Sequence, residues 1–526
     1  MFSLSVALPA VCFALPAASL PAPFTLSAVL PIDLSFHNRG VVPLNGRPDA
    51  FVPGARAGRR VVTGRGMCYM TGVAREARGT VMIDRETTEN LKRRVAYEKA
   101  RPGYPDGFPH IPDLSAERYI SPEFYELEIE RLWTNTWLYA GHKDQLPETG
   151  SYIVFDRVPR MPVFVVRGED GTFRAFYNTC AHRGGCIVSG EEGRCGTRLM
   201  CGYHAWTYDL EGNLVGVPDS RDFEGLVKAD RGLTRLRCET WGGMIFVNAN
   251  PEAPPLRDYL AILADEFRQF DLDDLALISR YHYDVPCNWK VLMDAFAENY
   301  HFVSVHRGTV GLPGPKCAVD HRGTVMALFE NGHSRNILPW NTGFEPKAGS
   351  SEETGFSMSM GGIEDIASVG EISRSMVLAY TCFPNLTVPV YSNGFPLLLF
   401  WPTSINTSRL DVVWFGLPVE GEELPPAWRE KIAAFNVILD EDLTYLPSVQ
   451  KSVESPAFRS IPLNYQERRI YHAHEHIDDT IGREHVPARM RTTPVLGPTV
   501  ERQQDRGIPP YLKGVLGDGA GVEAAE

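Results

Sequence analysis

The stretch from Cys180 to His204 reads CAHRGGCIVSGEEGRCGTRLMCGYH and holds four cysteines and two histidines in 25 residues. Its sharpest pattern is Cys180-x-His182, eighteen residues, then Cys201-x-x-His204. Each of two loops offers one thiolate and one imidazole. Zinc fingers usually keep a Cys pair on one arm and a His pair on the other. A mixed pair on each arm suits a [2Fe–2S] cluster in which one iron takes two thiolates and the other two imidazoles. A Cys2His2 zinc site stays open on spacing alone. Gly184, Gly185 and Gly190 let backbone approach a cluster closely and offer amide donors to its sulfurs.

A second constellation lies about a hundred residues further on, in Asn288-Trp-Lys-Val-Leu-Met-Asp-Ala-Phe-Ala-Glu298-Asn-Tyr-His301-Phe-Val-Ser-Val-His306. Two histidines preceded by carboxylates can form two legs of a 2-His-1-carboxylate iron site. At about 100° per residue, Glu298 and His301 lie within roughly 60° on a helix and share a face. His306 would point elsewhere, so the helix must end or deform near Ser304 for the pair to chelate. His472-Ala-His474-Glu-His476 also looks metal-binding, and His472 and His476 share a helix face at i, i+4. No third ligand is evident there, and the surrounding arginines and acids predict a solvated helix.

Around the first constellation, residues 151–250 run as short β segments: SYIVF, PVFVVR, FRAFYN, TRLMC and GMIFVNA. Turn signals at Glu-Asp-Gly (169–171) and Glu-Gly-Asn (211–213) separate them. The pattern predicts a small antiparallel β domain. Upstream, SPEFYELEIERLWTNTWLY predicts an amphipathic helix with Ser121 as N-cap, Pro122 at N1, and Phe124, Leu127, Ile129, Leu132 and Trp133 on its apolar face. Beyond the proline-rich boundary at 251–260, helical and strand-like segments alternate, ending in the helices PPAWREKIAAFNVILDEDLTYLPSVQKS and NYQERRIYHAHEHIDDTIG. This second domain is expected to be α+β, with helices packed on an antiparallel sheet. The expected divisions are a leader at 1–81, disordered or preceding a true start at Met82, then a helical segment at 82–136. The cluster domain follows at 137–250, the catalytic domain at 251–512, and a flexible tail at 513–526.

The chain has 526 residues, 44% hydrophobic and 22% charged, with a net charge of −13. That acidity argues against nucleic acid as a partner, because phosphate binding needs a basic face. Ten thinly spread cysteines do not read as a secreted disulfide framework. The proline-broken apolar N-terminus does not read as a membrane span, and a cytoplasmic location is expected.

Cys180, His182, Cys201 and His204 resemble the ligand set of the Rieske family. His204-Ala-Trp206 followed by Tyr208, Asp209 and Gly212, and Trp241-Gly-Gly243 before Ile245-Phe-Val247, are similar to the Rieske domain of oxygenase large subunits. The run Asn-Trp-Lys…Glu-x-x-His-x4-His resembles the iron-binding segment of Rieske non-haem iron oxygenase α subunits, of the aromatic ring-hydroxylating type, and stands in the same order. The resemblance covers roughly residues 113–485. It implies His301 and His306 as iron ligands, with Glu298 as the acid bridging the two centres. The segment Leu439-Asp-Glu-Asp442…Gln450 resembles the family's stretch in which the second acid binds iron. It selects Asp442, with Asp440 and Glu441 as neighbouring alternatives. Cys186 and Cys195 are then unligated thiols. Ala295 departs from the asparagine that many relatives carry.

The implied activity is that of a terminal oxygenase component with a Rieske [2Fe–2S] cluster and a mononuclear Fe(II). It would use O2 to hydroxylate an aromatic or other hydrophobic substrate. No flavin or nicotinamide fingerprint is present, so electrons would come from a separate NAD(P)H-dependent reductase, with a ferredoxin as a further candidate. The resemblance also implies a homotrimer, or three α subunits with β subunits, and electron transfer between neighbours through the residue at His204. The alternatives are a monooxygenase or demethylase of quaternary ammonium or methoxy compounds, and a Rieske electron carrier without oxygenase chemistry.

Overall fold

A computed structural model describes residues 83–311, 318–340, 362–421 and 423–517, together with the backbone of 349–350 and 357–358. The expectations for the leader and Met82, and for residues 518–526, lie outside the described residues. Residues 513–516 of the expected tail form a short helix.

Two antiparallel sheets carry the fold. In the first, the strands run in the order Leu138–His142, Met244–Asn248, Arg235–Trp241, Phe173–Tyr177, Val163–Arg167, Ser151–Phe155 and Glu192–Arg194. Successive side chains of a strand face opposite ways, and here the two faces enter two different cores. Val163 and Val165 join the main core together with residues of the second domain, whereas Phe164 and Val166 pack with Cys180, Cys201, Trp206 and Tyr208. Alternation along one five-residue strand thus fixes the metal-bearing loops to one side of the sheet and the rest of the protein to the other. Gly171 and Gly212 take the positive φ that their turns require.

The second sheet runs Ala276–Val285, Thr407–Gly416, Phe395–Ser404, Leu386–Val390, Met376–Cys382, Ser334–Pro339 and Val325–Leu328. The 28-residue helix Pro426–Val453 and the helix Arg468–Ile481 accompany it. This is the α+β architecture read from the sequence.

Three local expectations change. The predicted helix after Ser121 is α-helical only over Pro122–Leu127 and passes into a π-turn over Glu128–Leu132. That turn aims Glu128 inward, where it meets the Lys290 ammonium at 2.7 Å with both side chains fully buried. The helix beginning at Trp289 ends at Ala295, well short of His301. The last turn tightens, with Phe296 N–H bonding to Met293 O and Ala297 N–H to Asp294 O, and beyond it the Glu298 carboxylate accepts the backbone N–H of Tyr300 and of His301, which competes with resumption of the helix. Glu298 and His301 are therefore brought together by a turn, not by a shared helix face.

The third change concerns Arg468–Ile481, which is a buried helix and not a solvated one. Arg468, Arg469, His472, His474, Glu475 and Asp478 are all at most 7% exposed. Buried charges need partners, and these come from remote segments. Arg118 donates to Asp478 at 2.7 Å, Arg469 donates to Ser334 and Thr381, and Glu475 accepts the N–H groups of Val495 and Leu496. The three histidines serve separate neighbours. His472 Nε2 donates to Phe329 O at 2.8 Å, His474 Nδ1 accepts from Arg118, and His476 lies against Gly332 and the edge of Phe383.

Candidate active site

The Asn288-Trp289-Lys290 run anchors the second constellation. Asn288 caps its helix by accepting from the Lys290 N–H, and its own N–H donates to Gln450 Oε1 at 2.8 Å. Trp289 Nε1 and Lys290 Nζ both donate to Glu128. The segment bearing the histidines is thereby locked to the helix Pro426–Val453, which carries the third acid.

Where these elements meet, Nε2 of His301 and Nε2 of His306 each lie 3.4 Å from Asp442 Oδ1. One ligand atom from each of the three residues falls within 4.8 Å of the others, the one such group of three or more among the described residues. The far sides of both imidazoles are held as well. His301 Nδ1 bonds to Glu298, and His306 Nδ1 donates to Glu441 Oε2 at 2.9 Å. Thr309 Oγ1 donates to the same Glu441 oxygen. Each carboxylate fixes a tautomer with Nδ1–H, leaving Nε2 free to ligate. Asp442 and Glu441 are adjacent in one helix, yet they act on opposite edges of the His306 ring.

The electrostatics call for a cation. Burial pushes Asp442 up to about 6, against the pull of His306 and His301. Burial pulls the His301 imidazolium down, but the Glu298 carboxylate against Nδ1 outweighs it and sets His301 above its ordinary value. Two imidazoles and one buried carboxylate with open space beside them are the donor set of a 2-His-1-carboxylate iron centre. That space is a cavity walled by Phe296, Val310, Leu338, Trp340, Tyr391 and Phe435 among others, with Asn299, Asn336 and Thr387 as polar points.

At the other site, Cys180 and Cys201 are buried while His182 and His204 are partly exposed, their ring centroids 4.6 Å apart. His182 Nδ1 is buried without a hydrogen-bond partner, the state of an imidazole nitrogen kept for a metal. A Cβ on Gly185 would sit 3.1 Å from Cys201 Sγ, so the loop is shaped to leave room at the sulfur. Buried thiolates and outward imidazoles fit a cluster with two distinguishable irons. Tyr208 was not singled out for a role by sequence. Its hydroxyl accepts from Ala181 N–H and lies 3.2 Å from Cys180 Sγ, placed to donate to a thiolate there. Cys186 is exposed, and Cys195 donates to Gly150 O. Ala295 lines the cavity, and Asp440 is not among the converging ligands.

The fold and these two centres define a Rieske-type oxygenase. The family model described as "Rieske [2Fe-2S] domain" matches residues 136–230, and "Ring hydroxylating alpha subunit (catalytic domain)" matches 272–483. The chain is 28% identical over 344 residues to a carnitine monooxygenase oxygenase subunit of Acinetobacter baumannii, 65% of this chain and 85% of that one. It is 36% identical over 202 residues to the biphenyl 2,3-dioxygenase α subunit of Rhodococcus jostii, 37% of this chain and 42% of that one. A solved quaternary ammonium Rieske monooxygenase superposes with a TM-score of 0.58 at 23% identity, covering 73% of this chain and 100% of the other. Naphthalene 1,2-dioxygenase from Rhodococcus gives 0.56 at 22% identity, covering 76% and 99%. The chain belongs to the Rieske non-haem iron oxygenases as a large, α-type subunit. It is an oxidoreductase whose cofactors are a Rieske [2Fe–2S] cluster and a mononuclear iron. Subunits of this kind work with a reductase and oligomerise. No helix among the described residues is long and apolar enough to cross a membrane.

Proposed function

We propose that this subunit hydroxylates an aromatic or other hydrophobic substrate, with His301, His306 and Asp442 holding the iron and Cys180, His182, Cys201 and His204 holding the cluster. The domains are taken as 137–250 for the cluster and 251–512 for catalysis. The observation that carries the substrate class is the wall of the cavity beside the three ligands. Among the described residues it contains aliphatic and aromatic side chains and no lysine or arginine. Such a surface favours an uncharged apolar molecule and offers nothing to pair with a carboxylate.

When bound, the iron supplies O2 chemistry and the cluster supplies electrons one at a time. The chain's residues set the conditions for both. Asp442 limits the charge of the centre, and Glu298 and Glu441 keep the two imidazoles in their ligating tautomer. The Glu298 carboxylate, 10% exposed, holds the proton of His301 Nδ1. Its second task would be to accept a hydrogen bond from His204 of the partner subunit, joining the centres of neighbouring copies. This reading implies a homotrimer, or α subunits with β subunits, in the cytoplasm. An NAD(P)H-dependent reductase, directly or through a ferredoxin, would feed it.

A second reading is oxygenation of a quaternary ammonium compound. It is favoured by the match to carnitine monooxygenase subunits and by Phe296, Trp340, Tyr391 and Phe435 around a site bearing carboxylates, since aromatic faces attract such cations. Anaerobic reduction followed by O2, with a panel of arenes and methylammonium compounds scored by product mass, separates the two. Hydroxylated arenes support the first reading; oxygenated methylammonium products with inert arenes overturn it. His301→Ala is expected to abolish mononuclear iron while the cluster's visible spectrum persists.

A further inference from the structure

A second cavity of about 220 Å³ opens where the helix Arg85–Ala100, the turn His321–Gly323 and the start of the helix Arg468–Ile481 meet. Lys99, Arg101, His321, Arg322, Gln466 and Arg468 contribute to its wall, and Glu98 is its one carboxylate among the described residues. In a chain of net charge −13 this is a local excess of positive charge.

Pairing removes only part of it. Arg101 is matched by Glu98 at 2.6 Å, and Lys99 by Asp320 at 2.9 Å. Arg468 is 2% exposed and has no carboxylate within 4 Å among the described residues. Its guanidinium is satisfied by the carbonyls of Tyr465 and Met326 and lies 3.8 Å from the centroid of the Tyr465 ring. Carbonyl dipoles and a ring face orient the cation, and the carboxylates of Glu98 and Glu501 favour its charge from beyond ion-pair distance. Arg322 is exposed; its backbone N–H donates to Asp320 at 3.1 Å, but its guanidinium forms no ion pair with a described carboxylate. Two arginines whose guanidinium groups have no direct ion-pair partner among the described residues therefore line one concavity, whose low-dielectric walls focus their field on whatever enters. Gln466 adds a third feature. Its Oε1 is buried without a hydrogen-bond partner, and a half-turn of the amide would present its NH2 instead. Either edge can bond to a polyatomic anion, accepting from an acidic O–H or donating to an oxygen.

We propose that this cavity is a second ligand site, taking a small oxyanion, phosphate or carboxylate, between Arg322 and Arg468 and against Gln466. Forked guanidinium groups suit both oxyanions. The site is separate from the catalytic cavity but not remote from it in sequence. Ala318 and Val319 line the catalytic cavity, and His321 and Arg322, two residues further on, line this one. An anion held here would steady the segment that walls both.

The test uses the full chain with both metal centres loaded. Inorganic phosphate and succinate are titrated separately at constant ionic strength, followed by calorimetry and by thermal midpoint. Saturable heat and a rising midpoint with either anion are expected, and the anion that saturates names the chemistry. Arg322→Glu is expected to weaken that binding at least ten-fold while leaving the cluster spectrum and the anion-free midpoint unchanged; Arg322→Ala repeats the test without reversing charge. Saturable binding that survives both substitutions arises elsewhere, the iron included, and overturns the assignment. So does the absence of saturable binding by both anions.

Discussion

Glu441 lies outside the converging donor group of His301, His306 and Asp442, yet its removal should be felt by the iron. Its carboxylate receives the His306 Nδ1–H at 2.9 Å and the Thr309 hydroxyl at 2.6 Å. His306 is 3% exposed, so water cannot readily replace the lost acceptor. A hydrogen bond to a charged group is worth about 1.5–3 kcal/mol net. Glu441 is itself one-fifth exposed, which places its bond at the lower end. About 1.5 kcal/mol corresponds to roughly ten-fold in affinity, within the ten- to hundred-fold loss usual when such an outer partner of a metal-bound histidine is removed. Glu441→Ala should therefore raise the dissociation constant for Fe(II) about ten-fold. Glu441→Gln keeps an acceptor oxygen and should stay within about three-fold, because only the charge is lost. Equilibrium dialysis against a graded chelator, with iron counted and the cluster's absorbance as an internal control, measures both. Wild-type iron retention in Glu441→Ala would refute the idea that the carboxylate holds the ring. Parallel loss of the cluster would show that the variant had unfolded.

Glu298→Gln should keep both metals bound while slowing reduction of the iron site in single-turnover experiments by ten-fold or more; unchanged kinetics would rule out the bridging role. Gly185→Ala puts a methyl group 3.1 Å from Cys201 Sγ, and acid-labile sulfide per chain should fall while the iron at the other centre is retained. Burial holds His333 down to about 3 and His472 down to about 4. Between those values and about 6.5 the unfolded chain binds protons that the folded chain excludes. Stability is thus full above pH 6.5 and is lost as pH falls, by on the order of 1 kcal/mol per group per pH unit. Thermal midpoints should drop steeply between pH 6.5 and 5, and a flat profile there would contradict neutral burial of these rings.

Much of the architecture is legible in sequence because short β-branched and aromatic runs bounded by turn signals mark strands, as in SYIVF and PVFVVR, and ligand spacing marks the loops. The strand Arg235–Trp241 was less visible. Of its seven residues only Leu236 is fully buried, so its composition resembles a polar connector. The early stop at Ala295 was hidden for another reason. WKVLMDAFAENYHF has helical composition throughout, yet the chain tightens into i→i+3 bonds at Phe296 and Ala297, and the Glu298 carboxylate folds back onto the next free N–H groups, at Tyr300 and His301. Charges in Arg468–Ile481 misled in the opposite direction, because their partners lie far off in sequence. Arg118, which neutralises Asp478, is 360 residues away. His301, His306 and Asp442 meet in space, whereas the holding role of Glu441 depends on a helix phase that adjacency in sequence leaves open.

The strand Val163–Arg167 sends Val163 and Val165 into a core shared with the catalytic half and Phe164 and Val166 into the core beneath the cysteine loops. The cluster lobe is in this sense a facet of the larger body and not a bead on a string. Cut free, it would present a row of valines and isoleucines to water. Left in place, it keeps those side chains in a core it shares with the catalytic half, so loosening the one would expose the other.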